Sequence, residues 1–121
     1  MIHKNELDFF YCLLAILREN NISKFSTKRK VLDPKIAKLK KLFADKDTPS
    51  KILFIKTPIT GEYTRFWNVL IYYTQCRYLD ILKNNQDAII TTSFDPEKSK
   101  KLIKEFSISS ETQKKIVEIF F

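Results

Sequence analysis

A chain of 121 residues with 44% hydrophobic side chains is long enough to bury one core without disulfides or metal, and it is read as a single domain over 1–121. Charged residues make up 30%, and the longest wholly apolar run, 9–17, is far shorter than the roughly 20 residues of a spanning helix; with no small-residue cleavage site after it, the chain is expected to be soluble and cytoplasmic. One glycine rules out a Gly-rich phosphate loop, and a lone histidine, His3, leaves triads, Cys-His dyads and His-based metal sites without parts.

In chain order, residues 5–20 have a helical pattern. Leu7, Phe10, Leu14 and Leu17 share one face, with Phe9, Leu13 and Ile16 beside them and Asp8, Arg18 and Glu19 toward solvent. Asn5 is the expected N-cap, and Asn20-Asn21 supply the stop. A second helix over 34–45 is expected to open at Asp33-Pro34, with Asp as cap and Pro in the first helical position; Ile36, Leu39 and Phe43 face inward. Residues 51–56 form a short apolar run that is either a buried strand or a helical turn, and periodicity does not separate the two.

The stretch 63–82 draws the most attention, because it holds the only Trp and four of the five Tyr and contains neither Gly nor Pro. It is read as a long central helix over about 62–83, with Phe66, Val69, Leu70, Tyr73 and Cys76 as its main stripe and other faces widened by Trp67, Ile71, Tyr78 and Leu82. Cys12 and Cys76 are both expected to be buried, inert thiols. Residues 88–93 are the best strand-like segment, and pairing 52–55 with 89–92 would give a small two-stranded sheet. Asp95-Pro96-Glu97 repeats the Asp-Pro opening for a helix over 96–106, and Ser110 with Gln113 has capping-box spacing for one over 110–120. The Phe120-Phe121 rings are expected to dock against the core or a partner, unless the sequence has been cut short. The fold class expected is mainly α, a compact single-domain bundle around the 62–83 helix.

The charge is uneven. Residues 24–56 hold eleven cations (Lys24, Lys28, Arg29, Lys30, Lys35, Lys38, Lys40, Lys41, Lys46, Lys51 and Lys56) against Asp33, Asp45 and Asp47, so the whole net charge of +8 falls there; the rest of the chain is balanced. Flexible ammonium groups next to the hydroxyls of Ser23, Ser26 and Thr27 suit phosphate contact. A solvated Lys-rich face, or an acidic protein partner or anionic membrane surface, accounts for the same charge. With 18 Lys and only 4 Arg, backbone contact is expected over base readout. On the 62–83 helix, Arg65 with Tyr63 and Asn68 is a candidate polar mouth carrying an exposed aromatic for base stacking; the plainer account has Arg65 pairing with a neighbour such as Glu62.

The entry into that helix, 57–70, resembles the way the helical C-terminal domains of primase large subunits pass from a Pro-containing turn into a long helix. The resemblance covers about a tenth of the chain and finds no counterpart for that family's iron–sulfur cysteines, so it implies only a non-catalytic subunit of a replication complex.

The sequence therefore leads to a non-catalytic nucleic-acid-binding module, an accessory subunit of a replication or transcription complex. Its expected contacts are Lys24, Lys28, Arg29, Lys30, Lys35, Lys38, Lys41 and Arg65. No catalytic residue, metal, cofactor, membrane or small-molecule substrate is expected. The alternative is a protein-binding inhibitor or adaptor of viral or mobile-element type that docks an acidic or nucleic-acid-binding partner.

Overall fold

The computed structural model describes residues 2–44, 53–91 and 94–121. In chain order it contains α1 (Lys4–Glu19), β1 (Lys24–Ser26), α2 (Arg29–Leu42), α3 (Thr64–Gln75), β2 (Leu79–Ile81), β3 (Asp87–Ile90), α4 (Pro96–Glu105) and α5 (Ser110–Phe120). The fold is mainly helical, as the sequence implies, but its organisation differs at the centre.

The hub is α1. Every residue from 9 to 17 is buried, so this helix is apolar all round and packs against α3, α4 and α5 at once. Phe9 meets Phe43, Phe54 and Phe106 edge to face, with ring centroids 5.0, 6.0 and 5.4 Å away, and Phe10 stacks on Tyr73 at 5.3 Å. The aromatic stretch expected to be central is instead broken in three: α3 is only 12 residues long, and a turn leads from it into β2. On α3 only Phe66, Val69, Leu70 and Tyr73 are buried, while Ile71 and Tyr72 face outward and Cys76, expected inside, is exposed.

With one glycine in the chain, helices must end on other residues. The amide of Ile22 donates to Leu17 O and that of Asn21 to Arg18 O; the same pair of bonds recurs at Tyr78 and Arg77 after α3, and at Ile108 and Ser107 after α4. This is the Schellman closure, which needs a left-handed residue just past the helix. Asn21 (φ 64°), Arg77 (φ 65°) and Ser107 (φ 54°) supply it. For Arg77, which has neither the absent Cβ of glycine nor the short polar side chain of Asn, the conformation costs about 1 kcal/mol. Its chemistry gives no hint of a helix end.

A three-stranded antiparallel sheet, ordered β1-β3-β2, caps one side. The inward face carries Phe25 opposite Ala88 and Leu79 opposite Ile90, all buried; Phe25 lies edge-on to Phe120 at 5.7 Å and so ties the sheet to α5. The strand expected over 88–93 is present as β3, but its partners are 24–26 and 79–81. Leu53 and Phe54 form a short helical turn rather than a strand, and residues 51–52 and 92–93 lie outside the described residues.

Three cap assignments shift. Helix α2 starts at Arg29, so Pro34 sits inside it, and the Asp33 carboxylate accepts from Trp67 Nε1 (3.3 Å) instead of capping. The N-cap of α5 is Ser109, whose Oγ accepts from the Thr112 amide (3.1 Å), while Gln113 reaches the Ile108 carbonyl. Asn5 likewise lies within α1, which begins after His3. Asp95 behaves as its sequence suggests: it accepts from the Glu97 amide (3.0 Å), and Pro96 takes the first turn.

Candidate nucleic-acid interface

The basic segment folds mostly into α2. Leu32, Ile36, Leu39 and Phe43, at spacings of four, three and four, form the buried stripe, so the helix is held on one side only. Everything charged is therefore driven to the flanks and the outer face. Lys28, Lys30, Lys38, Lys40 and Lys41 are all exposed. The ion pairs Arg29 with Glu62, Arg65 with Glu6 and Lys115 with Glu111 do not involve the lysines of α2, which have no carboxylate partner among the described residues.

Around this helix the expected contact residues divide into groups. Lys30, Lys38 and Lys41 point outward. Arg29 lies on the α3 side, paired with Glu62 and with its guanidinium carbon 5.4 Å from the centre of the Trp67 ring; this ties the start of α2 to α3 while leaving Arg29 exposed. Lys35 lies on the α5 side and is half-buried, with Nζ 5.5 Å from the centre of Phe120; burial first, and then the nearby Lys38 ammonium, hold its pKa below 10.5. Lys24 stands apart from α2 on the outer face of the sheet, opposite Ile89, whose other neighbour is Asp80.

Arg65 does not join the cluster. It sits two positions before Trp67, about 200° around α3, and so faces α1 rather than α2. There its Nε donates to Glu6 Oε1 at 2.9 Å, and Glu6 is 1% exposed. A carboxylate that deep in the core requires a partner, which gives Arg65 a structural task in place of the proposed one. The polar mouth falls with it, because Tyr63 is buried beneath Lys56, whose Nζ is 5.3 Å from the ring centre.

One residue not singled out by the sequence does join. Between α2 and α5 a shallow groove of about 430 Å3 is lined by Lys38, Lys41, Leu42, Lys115, Glu118 and Ile119. Lys115 belongs to a segment that is electrically balanced in the sequence, so only the docking of α5 on α2 brings it here. Lys46 and Lys51 lie outside the described residues.

Reactive chemistry is sparse around this surface. Among the described residues no three His, Cys, Asp or Glu side chains gather closely enough to hold a metal ion, and no helix is long and apolar enough to cross a membrane. The Cys12 thiol is pushed up to about 12, by burial first and by Asp8 second, which keeps it protonated and unreactive. Compared with protein-family models, curated proteins and solved structures, the chain has no significant match, so the resemblance to primase large subunits gains no support.

Proposed function

We propose that the protein is a non-catalytic, cytoplasmic nucleic-acid-binding module, an accessory subunit of a replication or transcription complex, that grips phosphates through the outer face of α2. One observation carries the reading: five exposed lysines on or next to a single helix have no carboxylate partner among the described residues. Such an array neutralises phosphates and releases their counterions, and it favours backbone contact over base readout because ammonium groups act as point charges. Lys28, Lys30, Lys38 and Lys41 are the principal contacts, Lys40 adds charge beside them, and Lys24, Arg29, Lys35 and Lys115, the last in an exposed pair with Glu111, are secondary.

The test is binding to random-sequence DNA and RNA. The proposal expects dissociation constants below micromolar at low salt, steep weakening as salt is added, and loss of binding in a Lys28→Glu, Arg29→Glu, Lys30→Glu triple variant that still folds. Unchanged affinity in the triple variant would remove the reading.

The alternative of a protein-binding inhibitor or adaptor draws on a different surface. Ile71 and Tyr72, 50% and 38% exposed, sit side by side on the outer face of α3. A complex recovered from extract after nuclease treatment, lost on Ile71→Asp and indifferent to the lysine variants, would favour it.

A further inference from the structure

The outer crest of α2 has an unusual composition. Directly opposite the buried stripe run Lys30, Pro34, Ala37 and Lys41, with the same spacing of four, three and four, and all four are exposed. The crest therefore reads cation, small, small, cation. Its two end charges are eleven residues apart, or about 16 Å along the axis. A solvated helix face would ordinarily be filled with polar side chains, and Pro34 in a helix interior sacrifices a backbone hydrogen bond. The middle of the crest is bare: neither Pro34 nor Ala37 has a side-chain donor or acceptor.

Resting on the reading above, we infer that the ligand is double-stranded B-form DNA, with the crest of α2 laid across the major groove. That groove is about 12 Å wide and admits a helix, so a separation of about 16 Å puts Lys30 over one phosphate row and Lys41 over the other. The bare middle lets the backbone of α2 approach the groove closely, and its lack of hydrogen-bonding groups makes recognition blind to sequence. Lys38 and Lys115 on the α5 flank and Lys28 at the start of the helix extend the contact along the strands. A single strand fits less well. Its usual platform is several exposed aromatic rings beside the charges; here Trp67 is engaged by Arg29 and Asp33 and Phe120 is buried, which leaves Phe121, 97% exposed at the end of α5, as a single ring rather than a platform. Duplex RNA also fits poorly, because its major groove is deep and narrow.

The experiment compares a fluorescein-labelled random-sequence DNA duplex of about one and a half helical turns with one of its single strands and with the matching RNA duplex, by anisotropy at one salt concentration. The expected result is at least tenfold tighter binding of the DNA duplex. Ala37→Phe, which fills the middle of the crest at an exposed position, should weaken duplex binding about tenfold and leave single-strand binding alone. A DNA duplex carrying bulky groups on pyrimidine C5, which project into the major groove, should bind the unaltered protein less tightly, so the geometry is tested even if the variant folds poorly. Equal affinity for single strand and duplex, or indifference to both the Ala37→Phe substitution and the C5 groups while the lysine triple variant loses binding, would overturn the groove geometry and leave the phosphate-binding proposal standing. No binding to any of the three would end both.

Discussion

Helices α1 and α2 are of similar length and lie in the same small fold, yet they do opposite things. Nine consecutive residues of α1 are buried, whereas α2 buries three of its own and then Phe43 at its end. The difference lies in how apolar residues are distributed around each axis. Helix α1 is apolar on every side and must be wrapped, so it becomes the hub. Helix α2 has one stripe and can only lean on the body, so its remaining surface is left for solvent or a partner, and most of the described cations of the basic segment lie on or beside it.

The largest effect expected from this contrast is on stability. Phe9→Ala removes a ring packed against three others and is expected to cost about 3–5 kcal/mol in chemical denaturation, whereas Lys40→Ala should stay within about 0.5 kcal/mol. A comparable loss at both sites would erase the distinction between hub and flank. Next comes the polar anchor of α1. Arg65→Ala strands the Glu6 carboxylate in the core and is expected to cost about 2–3 kcal/mol, more than Glu6→Gln, which leaves the half-exposed guanidinium in reach of water. Denaturation midpoints ranked the other way would contradict the assignment of Arg65 to structure.

Alkaline pH should also single out the core around α1. Burial raises the pKa of Cys12 from 9.0 to about 12, and burial followed by the charge of Asp8 raises that of Tyr73, whose hydroxyl donates to the Leu7 carbonyl at 2.6 Å. Both groups ionise more readily in the unfolded chain, so the stability they contribute is complete below about pH 9 and is lost as pH rises toward the folded values. Urea midpoints should hold level from about pH 7 to 8.5 and fall above about 9, and Cys12→Ala should soften that fall; a flat profile to about pH 11 would contradict it.

A smaller effect separates two identical dipeptides. Asp95→Ala removes a cap that accepts from the Glu97 amide and should cost about 1 kcal/mol, read as a lower melting temperature. Asp33→Ala should leave the start of α2 intact and shift the emission of Trp67, whose indole N–H it accepts from.

That pair also indicates how far the sequence can be read. Asp95-Pro96 and Asp33-Pro34 carry the same local signal, and only the first begins a helix. The second is claimed by a tertiary partner, Trp67, which no local window contains. Periodicity locates the five helices found among the described residues and the apolar face of α2, whereas of the two terminal rings expected to dock only Phe120 is buried and Phe121 is exposed. It misplaces the hub when aromatic content is given more weight than unbroken burial: the run 9–17 is too short to span a membrane, yet a helix apolar on all sides is a central one in a globular fold too. A long helix over 62–83 is expected because nothing punctuates it. Its end is enforced by Arg77 in a left-handed conformation, which side-chain chemistry does not announce. At the candidate interface, charge counting points to the α2 lysines, while the removal of Arg65 to the core and the arrival of Lys115 beside α2 depend on which helices dock together.

The central proposal is that the lysines of α2, which have no carboxylate partner among the described residues, contact nucleic-acid phosphates. It is tested most directly by the affinity for random-sequence duplex DNA as a function of salt. Engagement of four or more lysines predicts a log–log slope of about −4 or steeper, with Lys30→Glu and Lys41→Glu together reducing it by about 2. A slope near zero, or one unaltered by that pair of substitutions, would mean that the charge of this helix serves something else.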